Sequence, residues 1–387
     1  MPGIVLIPFE LIISVIGACS SDLATLCTWS LVSRVCLSEA RKHLYQDITF
    51  TPDLHNLLYP GGRKESDDDL RCLGMARAYR FLHAVISNPQ LATLVQQVTV
   101  AFHEGIWSAS MWITFRHAFI KMSELKCFRL NLNYYFLAST TILASLDGLF
   151  DGHTMRLKEL SISLLNAPAQ QFLFLPRMLQ LQPELEELYL LGSSWDGVGM
   201  EAGMCPSLHT ISTWSRRCIE IIVPSRPVVK LCWDLSKPQL YQLDSNLNCS
   251  NFTLLAQTLS KIRILVLQGP EDHGRWLLFL SPYLTSVEVL DMQSCSERDA
   301  GGLVHLDKLR VIICRAEADI QRQKSLVDQW FLLSATLKAT FFHTESSTQP
   351  FKWTKGAGTP VSVDPLEILQ LLMVKNLTKT DDGAGGN

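Results

Sequence analysis

The chain has 387 residues, a length that suits about two to three domains. It is 47% hydrophobic and 18% charged, with a net charge of −3 and no basic block. That permits a large buried core and excludes the broad basic footprint of a nucleic-acid binder. Its 11 cysteines form no C-x-x-C pair and no Cys/His run at zinc spacing. They read as reduced thiols serving as small apolar residues, which places the chain in the cytoplasm or nucleus.

In chain order, Ile4 to Cys19 is apolar, as a signal peptide would be. However, no Lys or Arg precedes it, Pro8 and Glu10 interrupt it, and no stretch reaches the roughly 18–20 residues of a membrane span. Ile7 to Tyr45 reads instead as three short helices. Pro8 suits a first helical turn, and Glu10 suits the positive end of the helix dipole. Leu11, Ile12, Val15 and Ile16 recur at helical spacing. Ser20, Ser21 and Asp22 can cap a second helix carrying Leu23, Leu26 and Leu31; Ser38 can cap a third carrying Ala40, Leu44 and Tyr45. A piece of about 40 residues is near the lower limit for a self-sufficient core, so it leans on a partner or on the rest of the chain.

This stretch resembles an F-box. The opening Ile7-Pro8-Phe9-Glu10-Leu11 and the segment Ser30-Leu31-Val32-Ser33-Arg34 match the family's two signatures in order. The continuation Ala40-Arg41-x-x-Leu44-Tyr45-x-x-Ile48-x-Phe50 resembles the variety common in mushroom-forming fungi, in which the F-box runs directly into a strand. The chain departs at Cys36, where the family often has Trp. The resemblance implies docking on a Skp-type adaptor of a cullin–RING ubiquitin ligase. The matching adaptor-binding positions are Pro8, Leu11, Ile12, Leu31 and Val32.

Asp47 to Phe50 alternates as a strand would. Asp53 to Asp69, with Pro60-Gly61-Gly62 and an acidic run, reads as a solvated loop. Leu70 to Ser87 has helical periodicity and stops at Asn88-Pro89. An irregular repeat, apolar-x-x-apolar-x-apolar, then begins. It appears at Val95, Leu125, Leu157, Leu185, Leu208, Val228, Ile262, Val287, Leu309 and Leu337, with weaker matches at Leu208 and Val228. Helical stretches lie between copies at Met111–Met122, Leu137–Phe150, Gln171–Leu181, Phe252–Leu259 and Arg275–Leu280. A strand followed by a helix, repeated at about 20–34 residues, is the leucine-rich-repeat plan. The array resembles the divergent repeats that follow fungal F-boxes. The usual Asn or Cys three residues past the last apolar position survives at Asn133 but not at Leu165 or Ser193. Asp319–Ser334 reads as a helix, and Phe351-Lys352-Trp353 as a short strand. Asp364-Pro365-Leu366 starts a last helix, expected to cover the open end of the array.

The expected class is therefore α/β. A three-helix F-box-like domain spans 1–50 and an acidic loop 51–69. An irregular horseshoe solenoid of parallel strands and helices spans 70–345, a strand and helix cap 346–378, and a disordered tail 379–387. Strand alternation turns Arg129, Asn131, Glu159, Ser161, Glu187, Tyr189, Trp214, Lys230, Asp234, Gln268, Asp291 and Arg315 onto the concave face, where a target protein would bind. No hydrolase elbow, P-loop, zincin or dinucleotide motif is present. His83, His103, His117, His153, His209 and His273 do not cluster at ligand spacing, and nothing supplies a base to Cys232. The sequence thus predicts no enzyme, no metal and no cofactor. It predicts a substrate receptor of a Skp–cullin–F-box ligase, with neither nucleic acid nor membrane as a partner. The alternative is a non-catalytic repeat scaffold whose F-box remnant does not bind the adaptor.

Overall fold

A computed structural model of the chain describes residues 8–50, 67–102, 109–132, 148–164, 174–192, 195–235, 252–269, 273–293, 300–315, 319–343 and 349–373. It divides into two compact units, one built mainly from residues up to 185 and one from 186 onward.

The first unit opens with three helices, α1 (Phe9–Ala18), α2 (Leu23–Ser30) and α3 (Arg34–Gln46). Asp22 caps α2 by accepting from the Thr25 amide, as expected. The cap of α3 is Ser33, accepting from the Cys36 amide, not Ser38, which lies inside the helix. The helices close over Ile16, Leu26, Cys36 and Ala40, with Ile12, Trp29 and Leu44 packed around them. α3 passes without a break into β1 (Asp47–Phe50).

Next come α4 (Asp67–Ser87), which starts three residues earlier than the periodicity implied, and α5 (Pro89–Ala92). Strands β2 (Gln97–Phe102), β3 (Cys127–Leu132) and β4 (Glu159–Leu164) follow, with α6 (Ala109–Lys121) between the first two. β1 to β4 pair in sequence order, all parallel. The unit ends in α7 (Phe174–Gln180). The helix expected over Leu137–Phe150 lies mostly outside the described residues, as do the loop positions Asn133, Leu165 and Ser193 and most of the acidic loop.

Aromatic rings hold this unit together. Tyr45 of α3 stacks on Phe81 of α4 at 5.9 Å, and Phe81 meets Phe50 of β1 at 5.6 Å. Phe119 of α6 packs on Phe128 of β3 at 4.9 Å and on Phe150 at 5.4 Å. The N-terminal helices therefore share a core with the first strands.

In the second unit β5 (Glu187–Leu191), β6 (Thr210–Thr213), β7 (Lys230–Asp234), β8 (Ile264–Gln268), β9 (Val289–Met292), β10 (Val311–Cys314) and β11 (Ala339–Phe342) pair in sequence order and parallel. β12 (Phe351–Thr354) and β13 (Val361–Ser362) continue the sheet antiparallel. Connecting helices are α8 (Arg216–Ile222), α9 (Phe252–Leu259), α10 (His273–Leu280), α11 (Ala300–Leu303) and α12 (Ile320–Leu333). α10 and α11 approach so closely that a Cβ on Gly302 would lie 2.7 Å from Leu277 Cγ. The buried Arg226 guanidinium donates to the carbonyls of Met204, Glu201 and Ile222, pinning the 195–208 segment to α8.

Register turns the sequence repeat into ladders. Leu188, Ile211, Leu231, Leu265, Leu290, Ile312 and Thr340 stand opposite one another in turn. So do Leu190, Thr213, Trp233, Leu267, Met292, Cys314 and Phe342. Both ladders are buried, and all ten leading repeat positions, Val95 to Leu337, are at most 1% exposed. Helices cover them: Trp330 of α12, for instance, stacks on Phe342 at 6.2 Å. The last helix, α13 (Pro365–Leu371), is capped by Asp364 as expected. It does not close the end of the array. β12 and β13 pair along that edge, and α13 lies on the other face of the sheet.

Cys19, Cys27, Cys36, Cys127, Cys205, Cys218 and Cys232 carry free thiols. Cys314 departs from the expectation of reduced thiols throughout, because it is disulfide-bonded.

His153 is half-buried against Phe119, 4.9 Å away, and Phe150. Burial drives its imidazole down to about 4, below the ordinary histidine value near 6.5. The folded state therefore resists protonation there. Its contribution is complete above pH 6.5 and is lost as pH falls toward 4. Urea denaturation across that window should show falling stability, and His153→Phe should flatten the decline.

Candidate functional site

The N-terminal helices present apolar side chains that their own core does not use. Leu31 is 86% exposed, Val32 63% and Leu11 55%, and Phe9, Val15, Leu23 and Val35 are exposed as well. Pro8 is also exposed, whereas Ile12 is half-buried and packs inward. Leu31 follows the last residue of α2, where the chain turns toward Ser33. Cys36 is not on this surface; it lies 2% exposed inside the bundle.

On the strand face opposite the ladders, alternation turns the expected residues outward, but their surroundings differ between units. In the first unit, Arg129 reaches across to Glu159 with a two-pronged ion pair, Nε–Oε1 2.7 Å and Nη2–Oε2 3.2 Å. Asn131 is exposed beside it, and Ser161 is buried.

In the second unit much of the face is closed. Cys232, Ile264, Val266, Val289, Ile313, Ala339 and Phe341 form one apolar cluster with Ile368 of α13, and Val311, Val363, Leu371 and Leu372 pack around it. Two ion contacts fix the helix there. Lys230 Nζ donates to the Leu372 carbonyl at 2.9 Å, where a cation suits a helix C-terminus. Lys352 Nζ meets Glu367 Oε1 at 2.6 Å.

Three expected target-binding residues do not stand free on this face. Trp214 is only 6% exposed and Asp291 only 1%. Lys230 is committed to α13. Glu187 accepts from the Tyr189 hydroxyl at 2.6 Å, and both are half-exposed. Asp234, Gln268, Asp291 and Arg315 line a cavity of about 410 Å³ that remains beside the covered area.

Within that cavity Asp291 Oδ2 accepts from Arg315 Nη2 at 3.3 Å, while Oδ1 has no partner among the described residues. Burial pushes the carboxyl above the ordinary carboxylate range, against the pull of Arg315, Lys230 and His343. Burial likewise raises the thiols of Cys127 and Cys218 to about 12 and those of Cys205 and Cys232 to about 11. Such thiols are almost wholly protonated at neutral pH and are poor nucleophiles. No group of three His, Cys, Asp or Glu placed to hold a metal occurs among the described residues, and no described helix is long and apolar enough to cross a membrane.

Sequence reading passed over one repeat position, the residue between the leading apolar residue and the strand. It is Arg263, Glu288, Arg310 and Lys338 in four successive repeats. The signal was a charged residue recurring at a fixed place in a charge-poor chain.

No protein-family model matches the sequence. No characterised protein matches it either. Among known structures, the chain is similar to the leucine-rich-repeat-containing protein LegL7 from Legionella pneumophila. That match has 11% identity and a TM-score of 0.42, over 72% of this chain and 90% of LegL7. It is also similar to the receptor in a TLR13–ssRNA13 complex, at 11% identity and a TM-score of 0.35, covering 66% of this chain and about a third (34%) of that one.

Because burial raises Asp291, its ionised form costs stability above the ordinary carboxylate range. Asp291→Asn should therefore be more stable than the parent at neutral pH. The gain should shrink as pH falls through the carboxylate range, where the parent becomes neutral too. Urea denaturation of both proteins at several pH values reads this directly. A destabilised Asn variant would mean that the Arg315 pair outweighs desolvation.

Proposed function

We propose that the chain is the substrate-recognition subunit of a Skp–cullin–F-box type ubiquitin ligase. The three-helix bundle docks the Skp-type adaptor, and the repeat array binds a target protein. The chain does no chemistry itself; it supplies proximity and orientation to a ubiquitin-loaded enzyme. It acts in the cytoplasm or nucleus, without cofactor.

The observation that carries this reading is the exposure of Leu31, Val32 and Leu11 on a bundle whose core is complete without them. Large apolar side chains held in water on a small helical domain mark an interaction site. Their order along the chain is that of the F-box signatures. The target side rests on groups that stay accessible: Arg129, Asn131, Glu159, Glu187, Tyr189, Asp234 and Arg315.

One observation favours the scaffold alternative. α3 runs straight into β1, and Tyr45 stacks on Phe81, so the bundle also serves as the first layer of the array. A bundle kept for that purpose alone needs no adaptor.

Leu31→Asp and Leu11→Asp separate the two readings. Both side chains are exposed, so each variant should keep the parent's helicity and melting temperature. Adaptor affinity, measured with purified Skp-type adaptor by calorimetry, should fall by at least about tenfold, as at an interface anchor. A parent protein that binds no adaptor, or variants that bind it equally well, would leave the scaffold reading standing.

A further inference from the structure

The position ahead of each strand gathers charge at one edge of the second unit. There the chain links neighbours by a regular backbone pattern. The Arg263 carbonyl accepts from the amides of Glu288 and Val289, that of Glu288 from Arg310 and Val311, and that of Arg310 from Lys338 and Ala339. The Lys338 carbonyl accepts from the Lys355 amide. Parallel strands stand about 4.8 Å apart, so side chains at this position form a row of closely spaced charges.

The row borders an open cleft of about 870 Å³. Lys261, Arg263, Lys308, Arg310, Lys338 and Lys355 line it, against two carboxylates, Glu288 and Asp307. Six cations minus two anions leave four positive charges there, on a chain whose net charge is −3. Glu288 is already used: it pairs with Arg263 at 2.7 Å and with Arg310 at 3.6 Å. Lys261 and Lys355 hold their ammonium groups over backbone carbonyls, which do not cancel charge. Lys308 and Lys338 are exposed and have no carboxylate partner among the described residues. A concave site with an excess of one sign concentrates the field and draws ions of the other.

The shape of the charge limits the ligand. A nucleic-acid strand needs an extended basic track and, when single-stranded, aromatic platforms for its bases. Among the described residues the lining contains no aromatic side chain, and its six cations gather round one cleft. The ligand is therefore short and closely charged.

We infer that this cleft is an anion-binding site for an acidic or phosphorylated segment of a target protein, gripped chiefly by Lys308, Lys338 and Arg310. The inference rests on the reading of the array as a target receptor and moves the centre of recognition from the strand face, where α13 sits, to the edge. Carboxylate runs and phosphoryl groups share the chemistry that the cleft selects, namely closely spaced anionic oxygens.

The test uses the full chain without adaptor, so that its outcome is independent of the F-box. Three end-capped, fluorescently labelled peptides serve as probes: hexaglutamate, hexaglutamine, and a peptide alternating phosphoserine with glycine. Anisotropy is read at low salt and at about tenfold higher salt. Hexaglutamate, the phosphopeptide or both should bind, far more weakly at high salt, and hexaglutamine should not. Which of the two binds identifies the source of the anion.

Lys308→Glu with Lys338→Glu should lower affinity by at least about tenfold, since two charges change sign at the site. Lys308→Gln with Lys338→Gln should lower it less, and carries the comparison if the reversed pair fails to fold. Leu31→Asp should bind as the parent does. Salt-independent binding, equal binding of hexaglutamine, or undiminished affinity in both double variants overturns the inference. None of these results bears on adaptor docking.

Discussion

Everything in the second unit depends on one constraint: no single repeat can bury its own strand. Leu231, for example, has the backbone and side chains of its own repeat on two sides only. Ile211 and Leu265 on the flanking strands complete its burial. Each ladder residue is solvent to the next, so the leading Leu, Ile or Val at each copy is buried even where the rest of the copy is irregular. The same dependence explains why the sheet ends as it does. β11 has no further repeat to cover it, and β12 turns back antiparallel to place Trp353 opposite Thr340, where its indole nitrogen donates to Gln323. An edge strand left bare would expose unpaired backbone and an apolar ladder together.

The ladders were legible because they obey a fixed spacing. Even the weak copies at Leu208 and Val228 fall into line, with Thr213 and Trp233 standing where Leu would. The covered strand face was also written in the sequence, but in a signal of a different kind. β5 begins Glu-Leu-Tyr-Leu, and burial alternates along it, as in a half-solvated strand. β8 opens Ile-Leu-Val-Leu before reaching Gln268, and β10 reads Val-Ile-Ile-Cys, apolar throughout. Continuous apolar runs mean burial on both faces. Attending only to the inward set of each copy hides what Ile264, Val266 and Ile313 require, which is a second cover. α13 supplies it. The destination of a terminal helix is not a local property, and its cap and periodicity fix its length without saying on which surface it lands.

At the N-terminus the opposite separation holds. The bundle core closes over Ile16, Leu26, Cys36 and Ala40, while Leu31, Val32 and Leu11, apolar as well, stay outside. Cys36 is buried, so it belongs to the bundle's interior and not to its outward face. Packing and exposure are thereby decoupled: surface substitutions can be read as binding effects, which is rarely so in a domain of this size, where most residues serve both ends.

The second unit then uses three parts of one repeat in three ways. The inner positions are spent on each other, and most apolar outer ones from β7 to β11 on the chain's own last helix. What stays open to solvent and regular in spacing is the position ahead of each strand. There a backbone ladder, not side-chain packing, sets the geometry, so charged side chains can vary without loss of fold. A surface held in register by the backbone and free in composition can acquire specificity at little cost in stability. In this chain that surface carries Arg310 and Lys338 in adjacent repeats, with Lys308 beside them, and the electrostatic character of the unit follows from that placement.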